Sequence, residues 1–284
     1  MRYPWPESFQ SAVVLTFDFD AESSVHFRNP TAARERLGLV EEQRYGVRTG
    51  LARILKLLHE RSLPASFFVP AFTVREHRAA VESIAEAGHE LACHGDVHEA
   101  LEGLSEADEA DLLDRQLTTF NEQLGIRPVG YRAPSWDLNV HTPSLLTRYG
   151  FEYDSSLMGD DIPYWVETAE HRLLEIPVQW MLDDAPFYRH VYGAPNQFAE
   201  PQRVFDVWSS EFKGLHEQNG CFVLTMHPWI SGRPSRLEAL SRLIDYMQSF
   251  NGVWFATAAD VAHWASSQSA EVTSVRLRST AVGT

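Results

Sequence analysis

Short apolar runs along the chain alternate with longer stretches in which apolar residues recur every three or four positions. The runs predict β-strands and cover residues 12–17, 65–69, 90–93, 129–131, 174–178, 221–226 and 253–256. The periodic stretches predict amphipathic helices between them, as where Leu51, Ile54 and Leu58 share one face. Strands that alternate with helices at this spacing indicate a parallel sheet. The number of units favours a single-domain α/β barrel over an open sheet.

Two long stretches, residues 21–45 and 183–200, carry neither period and are predicted to be irregular loops. Loops of this length in a compact domain are usually functional, so we expect both to hang over a functional face. The second contains several aromatic residues, Tyr188 among them, which would line a pocket, contact a second subunit or cap the core. Residues 266–284 are rich in Ser and Thr and lack a period, which predicts a domain over residues 1–265 and a flexible C-terminal tail.

Composition narrows the class of protein. The 284 residues are 44% hydrophobic and 22% charged, which suits a globular domain with a sizeable core. The net charge of −15 would repel nucleic acid and anionic membranes, so we expect neither as a partner. The first residues lack the basic-then-apolar layout of a signal peptide. Because Cys93 and Cys221 sit in apolar runs, they predict buried thiols and a cytoplasmic location.

Side chains suited to metal binding or acid–base catalysis directly follow four of the predicted strands. These are Asp18 and Asp20, His94 and His98, Arg132, and His227. The C-terminal ends of the strands in a parallel barrel share one face, and that face carries the active site. We therefore expect all four groups to meet there.

Each group alone is a weak signal, because 12 histidines in this chain give a His-x-x-x-His pair by chance about half the time. Together, one carboxylate and two imidazoles make a three-ligand metal site that leaves one position open. A second carboxylate can act as general base, and a histidine can protonate a leaving nitrogen. An arginine beside the base would keep it ionised and oriented. The combination predicts hydrolysis of a C–N or C–O acyl bond.

Four motifs built from these residues resemble those of polysaccharide deacetylases, the NodB-like carbohydrate esterases. They are Thr16-Phe-Asp-Phe-Asp20, His94-Gly-Asp-Val-His98, Arg132-Ala-Pro134 and Leu224-Thr-Met-His227. The resemblance spans roughly residues 13–264. It implies a distorted (β/α) barrel, commonly with seven strands, and a divalent metal, usually Zn²⁺.

The resemblance also implies roles for individual residues. Asp20, His94 and His98 would be metal ligands, Asp18 the base, His227 the acid, and Arg132 the residue that tethers Asp18. The backbone N–H of Ser135 would help to hold the oxyanion, and we expect Ser135, Trp136, Tyr188 and Trp229 to contact the substrate. The extra residue between the two acids leaves open whether Asp18 and Asp20 exchange roles.

Further segments resemble an intracellular branch of this family, whose members tend to be homotetramers. They are Asp154-Ser-Ser-Leu-Met, Leu174-Glu-Ile-Pro177, Trp180, Leu182-Asp-Asp184 and Ser231-Gly-Arg-Pro-Ser235. The branch contains peptidoglycan-deacetylase-type proteins, cyclic imide hydrolases and metal-independent allantoinases. We therefore expect a homo-oligomeric, metal-dependent hydrolase of a non-peptide C–N bond in a small molecule or N-acetyl sugar. A metal-free ureide hydrolase and a non-catalytic barrel that binds a sugar or metabolite remain as alternatives.

Overall fold

The computed structural model describes residues 3–28, 30–168, 171–190, 198–268 and 272–276. Its strands are β1 (Ser11–Asp18), β2 (Ser66–Val69), β3 (Glu90–Cys93), β4 (Gly130–Tyr131), β5 (Tyr153–Asp154), β6 (Tyr164–Glu167), β7 (Arg172–Glu175), β8 (Cys221–Met226), β9 (Val253–Ala256) and β10 (Ser274–Arg276). Its helices are α1 (Ser23–Arg28), α2 (Pro30–Glu35), α3 (Leu37–Tyr45), α4 (Leu51–Glu60), α5 (Ala71–Glu76), α6 (Arg78–Glu86), α7 (Glu106–Leu124), α8 (Thr142–Arg148), α9 (Ala185–Tyr188), α10 (Pro201–Glu217), α11 (Pro228–Ser231), α12 (Pro234–Gln248) and α13 (Ala258–Ser267).

The seven predicted strands correspond to β1–β4 and β7–β9, and they lie in one sheet together with β5, which the apolar pattern does not predict. Seven parallel strands lie in the order β8-β1-β2-β3-β4-β5-β7. Strand β1 is central, because Phe17 pairs with Phe67 of β2 on one side and with Met226 of β8 on the other. Strand β9 pairs in parallel with the first half of β1, and β6 adds an antiparallel strand beyond β7. The predicted α/β class and parallel sheet are confirmed.

The sheet curves into a distorted barrel whose ring is not completed by a strand pair among the described residues. The gap lies between β7 and β8. An isolated parallel bridge joins Asp183 to Thr225 there, and the backbone N–H of Asp184 donates to the carbonyl oxygen of Thr225 at 3.1 Å. The segment that narrows the gap therefore brings Asp183 and Asp184 beside the end of β8.

Alternation along β1 separates two hydrophobic layers. Val13, Leu15 and Phe17 belong to a cluster that also contains helix residues such as Ile54 and Phe212, so this face of the sheet carries the helices. Ala12 and Val14 belong to a second cluster on the opposite face, inside the curved sheet. All eight residues of β1 are buried, which explains why the strand reads as a continuous apolar run.

Parts of the chain differ from the sequence prediction. Residues 21–45 form helices α1–α3 and not an irregular loop. Helix α3 has no apolar stripe that would predict it from the sequence, because the residues that it buries are Val40 and Gln43. Strand β5 has only two residues, too few to show an alternation. Residues 191–197 of the second predicted loop lie outside the described residues.

The chain beyond residue 265 is only partly described. Helix α13 continues to Ser267, and Ser274–Arg276 forms β10, which pairs in parallel with β6. Residues 269–271 and 277–284 of the predicted tail lie outside the described residues. None of the helices that the structure describes has both the length and the apolar character needed to cross a bilayer.

A fully buried pair of carboxyl groups joins β5 to β7, where Asp154 and Glu175 are register partners. Glu175 Oε1 accepts hydrogen bonds from the backbone N–H groups of Ser156 and Leu157, both at 2.9 Å. Burial raises the pKa of Asp154 to about 6, and burial together with Asp154 raises the pKa of Glu175 well above its usual range. We infer that the two side chains share a proton, which would remove the repulsion between them.

The shared proton makes folding sensitive to pH. Because both pKa values are raised on folding, the folded state binds more protons than the unfolded state above about pH 4, so this stabilisation is lost as pH rises through the folded pKa of about 6 and beyond. Glu175→Gln keeps an oxygen for the two N–H donors and supplies its own N–H to Asp154. As pH rises from about 5 to about 8, we expect wild type to lose about 1–3 kcal/mol more of its free energy of unfolding than Glu175→Gln loses.

Urea denaturation at a series of pH values measures this difference. Glu122→Gln, at an exposed position on α7, is the matched control and is expected to follow the wild-type pH dependence. Parallel curves for wild type and Glu175→Gln across this range would contradict the shared-proton account.

Candidate active site

The two acids at the end of β1 point into the interior of the curved sheet. Asp18 is the last residue of the strand and lies on the same side as Ala12 and Val14. Asp20 follows two residues later, and the exposed fractions of Asp18 and Asp20 are 3% and 5%. Phe19 between them packs in the core on the helix side. As the sequence predicts, alternation brings both carboxylates to one side.

Asp20, His94 and His98 form a group whose possible ligand atoms all lie within 4.8 Å of one another. The Nε2 atom of His94 is 3.5 Å from Asp20 Oδ1, and the Nε2 atom of His98 is 3.6 Å from Asp20 Oδ2. Asp20 Oδ1 is buried and has no hydrogen-bond partner among the described residues. His94 Nδ1 lies 2.8 Å from the carbonyl oxygen of Arg132, which makes Nδ1 the protonated nitrogen and leaves the Nε2 lone pair for a ligand.

The charges of this group suit a divalent cation. Burial, followed by the nearby charge of Arg28, lowers the pKa of His98 to about 4, and burial lowers the pKa of His94. Both imidazoles are therefore neutral, the form that binds metals. Burial raises the pKa of Asp20 against the opposing effects of His94 and His227, so a bound cation would favour its ionised form. Two nitrogens and one oxygen are a common zinc donor set.

Arg132 holds Asp18 in place. The guanidinium is fully buried, and Nη1 donates to Asp18 Oδ1 at 2.7 Å and to Thr16 Oγ1 at 3.0 Å. Burial alone would raise the pKa of Asp18, but the positive charge of Arg132 lowers it below its usual value. The other oxygen of Asp18 lies 3.7 Å from His94 Nε2. Asp18 is therefore an ionised carboxylate at the edge of the three-residue group.

The remaining donors of Arg132 are fixed by the segment that follows β5. Nε donates to the carbonyl oxygen of Ser155 and Nη2 to its Oγ, both at 2.9 Å. The guanidinium also lies over the ring of Phe68, 3.9 Å from its centroid. Glu175 accepts a hydrogen bond from the backbone N–H of Ser156 in the same segment. The buried acid pair therefore helps to fix the segment that positions Arg132.

His227 lies directly after β8 and is oriented by a carboxylate. Its Nδ1 is 2.7 Å from Asp184 Oδ1, and its backbone N–H donates to Asp184 Oδ2 at 2.9 Å. Burial would lower the pKa of His227, but Asp184, followed by Asp183, raises it to about 10. The opposite nitrogen, Nε2, lies 3.8 Å from Asp20 Oδ2. His227 is thus a protonated imidazole that presents Nε2 to the ligand group.

Asp183 and Asp184 occur in the sequence only as part of a family-like segment, with no role assigned to them. Burial raises the pKa of Asp183 to about 7. Asp183, Asp184 and His227 form a second group whose ligand atoms lie within 4.8 Å of one another. Two consecutive acidic residues after a predicted strand are the only sequence feature that points to Asp183 and Asp184 as site residues. Their approach to His227 depends on the bridge between Asp183 and Thr225.

These groups share a pocket of about 110 Å³. The pocket lining includes most of the predicted site residues, namely Asp18, Asp20, His94, His98, Ser135, Trp136, His227 and Trp229. Residues that complete the lining are Ser24, Arg28, Gln43, Trp180, Asp183, Ala185 and Arg189. The structure places Tyr188 elsewhere, because its side chain is buried in the helix-side core with the guanidinium of Arg236 over its ring.

Three lining residues have backbone conformations that L-residues seldom adopt. The φ angles of His98, Ser135 and Trp136 are 61°, 60° and 56°. Such conformations persist where the surroundings fix them, and they concentrate at functional sites. The turn places the buried ring of Trp136 against Trp180, with ring centroids 4.4 Å apart and planes 27° from parallel. The stacked rings form one wall of the pocket.

Comparisons with known proteins agree on a family. The family model for polysaccharide deacetylase matches residues 9–153. The peptidoglycan deacetylase of Helicobacter pylori is 30% identical over 241 residues, which cover 75% of this chain and 82% of that protein. A Mycobacterium smegmatis structure, provisionally named a polysaccharide deacetylase, has a TM-score of 0.95 at 38% identity and covers 99% of this chain and 98% of that chain.

Another solved structure, Puue allantoinase, has a TM-score of 0.81 at 25% identity and covers 92% of each chain. The predicted resemblance is confirmed. The chain belongs to the polysaccharide deacetylase family and is a hydrolase of carbon–nitrogen bonds other than peptide bonds.

Proposed function

We propose that the protein is a metal-dependent hydrolase that removes an acyl group from nitrogen in a small substrate, either an N-acetyl group or one carbonyl of a cyclic imide. One observation carries the proposal. An ionised acid held by Arg132 and a protonated histidine held by Asp184 both face the group Asp20, His94 and His98. This is the arrangement that amide hydrolysis needs, with a base for water and an acid for nitrogen.

Asp20, His94 and His98 would hold the metal, with Zn²⁺ favoured by the two imidazoles and one carboxylate. When bound there, a divalent ion supplies Lewis-acid activation of the carbonyl group and of water. The buried, unpartnered Oδ1 of Asp20 and the two neutral histidines support this assignment. With three protein ligands, a coordination position stays available to the substrate.

Asp18 is the proposed general base. Its Oδ1 is occupied by Arg132, so Oδ2 is the oxygen that accepts a proton from the attacking water. The oxygen of that water adds to the carbonyl carbon. The backbone N–H of Ser135, which lines the pocket, would donate to the carbonyl oxygen as negative charge develops there.

His227 is the proposed general acid. Asp184 accepts from Nδ1 and stabilises the protonated ring, so Nε2 carries the proton that is transferred to the nitrogen as the C–N bond breaks. An N-acetyl substrate then yields acetate and an amine, whereas a cyclic imide opens to a linear product with a carboxylate and an amide. Asp184 positions the acid and does not contact the substrate itself.

The dimensions of the pocket support a small substrate. A volume of about 110 Å³ is well below the roughly 300–1,000 Å³ of pockets that hold drug-sized ligands. The wall of Trp136 and Trp180 restricts the pocket on one side. A cytoplasmic location suits this substrate class and the two buried free cysteines, Cys93 and Cys221. The homo-oligomer stays a prediction from the sequence.

Metal-independent ureide hydrolysis is the second candidate, because the fold is also similar to that of Puue allantoinase. The intact group Asp20, His94 and His98 favours the metal-dependent reaction. Activity toward allantoin that survives removal of metal by a chelator would establish the second candidate.

Two substitutions test the division of roles between the acids. We expect Asp20→Asn to lose bound zinc, since it removes a ligand charge, and Asp18→Asn to keep zinc while kcat/KM falls by roughly 10²–10⁴, the range for a general base. Elemental analysis and steady-state kinetics on the zinc-loaded protein measure both. Asp160→Asn, at an exposed position, is the control. The reverse pattern would exchange the roles, and full zinc in both variants would rule out this metal site.

Substrate length tests the enclosed pocket. Because the stacked tryptophans and the small volume leave no extended groove at the metal group, kcat/KM for N-acetylglucosamine or a cyclic imide is expected to equal or exceed that for an N-acetylglucosamine hexasaccharide. The three rates are compared under one metal condition. Rates that rise with chain length would show extended subsites and contradict the small-substrate proposal.

A further inference from the structure

Two arginines in the pocket take no part in the proposed reaction. Arg28 is the last residue of α1, and Arg189 directly follows α9. Both line the pocket that contains Asp20 and His98. Arg28 is exposed at the rim, whereas Arg189 is partly buried. They come from the two segments of the chain that lie over the catalytic face.

Neither guanidinium makes a hydrogen bond or an ion pair with another residue in the described part of the chain. In a chain with 39 acidic and 24 basic residues, an arginine has many possible acidic partners. The other cations of the pocket are paired, Arg132 with Asp18 at 2.7 Å and His227 with Asp184 at 2.7 Å.

Both arginines act electrostatically on the pocket floor. Burial, followed by the charge of Arg28, lowers the pKa of Arg189, while Asp20, Asp183 and Glu42, which lies outside the pocket lining, oppose that shift. The charge of Arg28 also lowers the pKa of His98. Both guanidiniums line the pocket that holds the ligand group, to which they add two positive charges.

The other charges of the pocket do not offset these two. Once Asp18 and Asp184 are paired, Asp20 and Asp183 are the remaining acids of the lining. Together they supply at most two negative charges, which one divalent ion at the proposed metal site would match. Arg28 and Arg189 then have no compensating charge in the lining, and an anion from the substrate is the partner that is missing.

We propose that Arg28 and Arg189 bind a carboxylate of the substrate while its amide or imide carbonyl lies at Asp20, His94 and His98. A planar guanidinium matches a carboxylate through paired hydrogen bonds, and partial burial of Arg189 strengthens that attraction. The inference rests on the proposed function and narrows its substrate class to N-acyl or cyclic imide compounds that carry a carboxylate.

Matched substrates that differ by one carboxylate test this proposal. N-acetylmuramic acid is compared with N-acetylglucosamine, and hydantoin-5-acetic acid with hydantoin. In the zinc-loaded protein, kcat/KM is expected to favour the carboxylate member of a hydrolysed pair by about 10-fold or more, since charged hydrogen bonds are the strong ones. The preference is expected to shrink as ionic strength rises, because salt screens the charge of the exposed Arg28.

Variants locate the carboxylate. Arg189→Gln and Arg28→Gln are each expected to reduce the preference, and the double variant to abolish it to within about two-fold. Arg189→Lys keeps the charge without the planar fork and is expected to retain part of it. The control is Arg78→Gln, which removes the same charge from an exposed arginine paired with Glu82. Its preference is expected to equal that of wild type.

Titration calorimetry on the Asp18→Asn background, which slows turnover, gives the dissociation constants of the same four compounds. A preference that survives the double variant would show that the metal or another group holds the carboxylate, and would overturn the proposal. Hydrolysis of both members of a pair at equal rates would also overturn it while leaving the proposed function intact. If no compound is hydrolysed, the proposed function fails, and equal dissociation constants within each pair would then overturn this inference too.

Discussion

The ion pair between Arg132 and Asp18 is the interaction on which the site depends. Burying a guanidinium completely is costly, and here four of its five N–H groups donate, to the Asp18 carboxylate, the Thr16 hydroxyl and the two oxygens of Ser155. The same contacts tie β1 to the end of β4 and to the segment after β5. The acid at the end of the central strand is thereby held ionised inside the curved sheet, with one oxygen free.

The site separates its two titrating groups by giving them opposite neighbours. Arg132 lowers the pKa of Asp18, and Asp184 raises the pKa of His227 despite burial that would lower it. A base and an acid can therefore coexist in their reactive forms on either side of Asp20. Each partner is fixed by backbone contacts, so the difference in pKa is built into the fold and does not depend on a flexible loop.

The sequence predicts those parts of the protein that follow from strand geometry. Parallel strands end on one face, so Asp18, Asp20, His94 and His227 could be placed together from the runs that precede them. Contacts that depend on how distant segments pack leave no pattern in the sequence from which they could be predicted. Arg28 and Arg189 reach the pocket from the ends of short helices without an apolar stripe, and Asp184, just before α9, reaches His227. Tyr188 of α9 packs in the core.

The position of a bound metal tests the account most directly, because two groups among the described residues could hold one. Anomalous diffraction at the zinc edge from crystals of the zinc-loaded protein locates the ion independently of any activity. The account predicts one peak at about 2.0–2.2 Å from donor atoms of Asp20, His94 and His98. A peak among Asp183, Asp184 and His227, with none at Asp20, would contradict it.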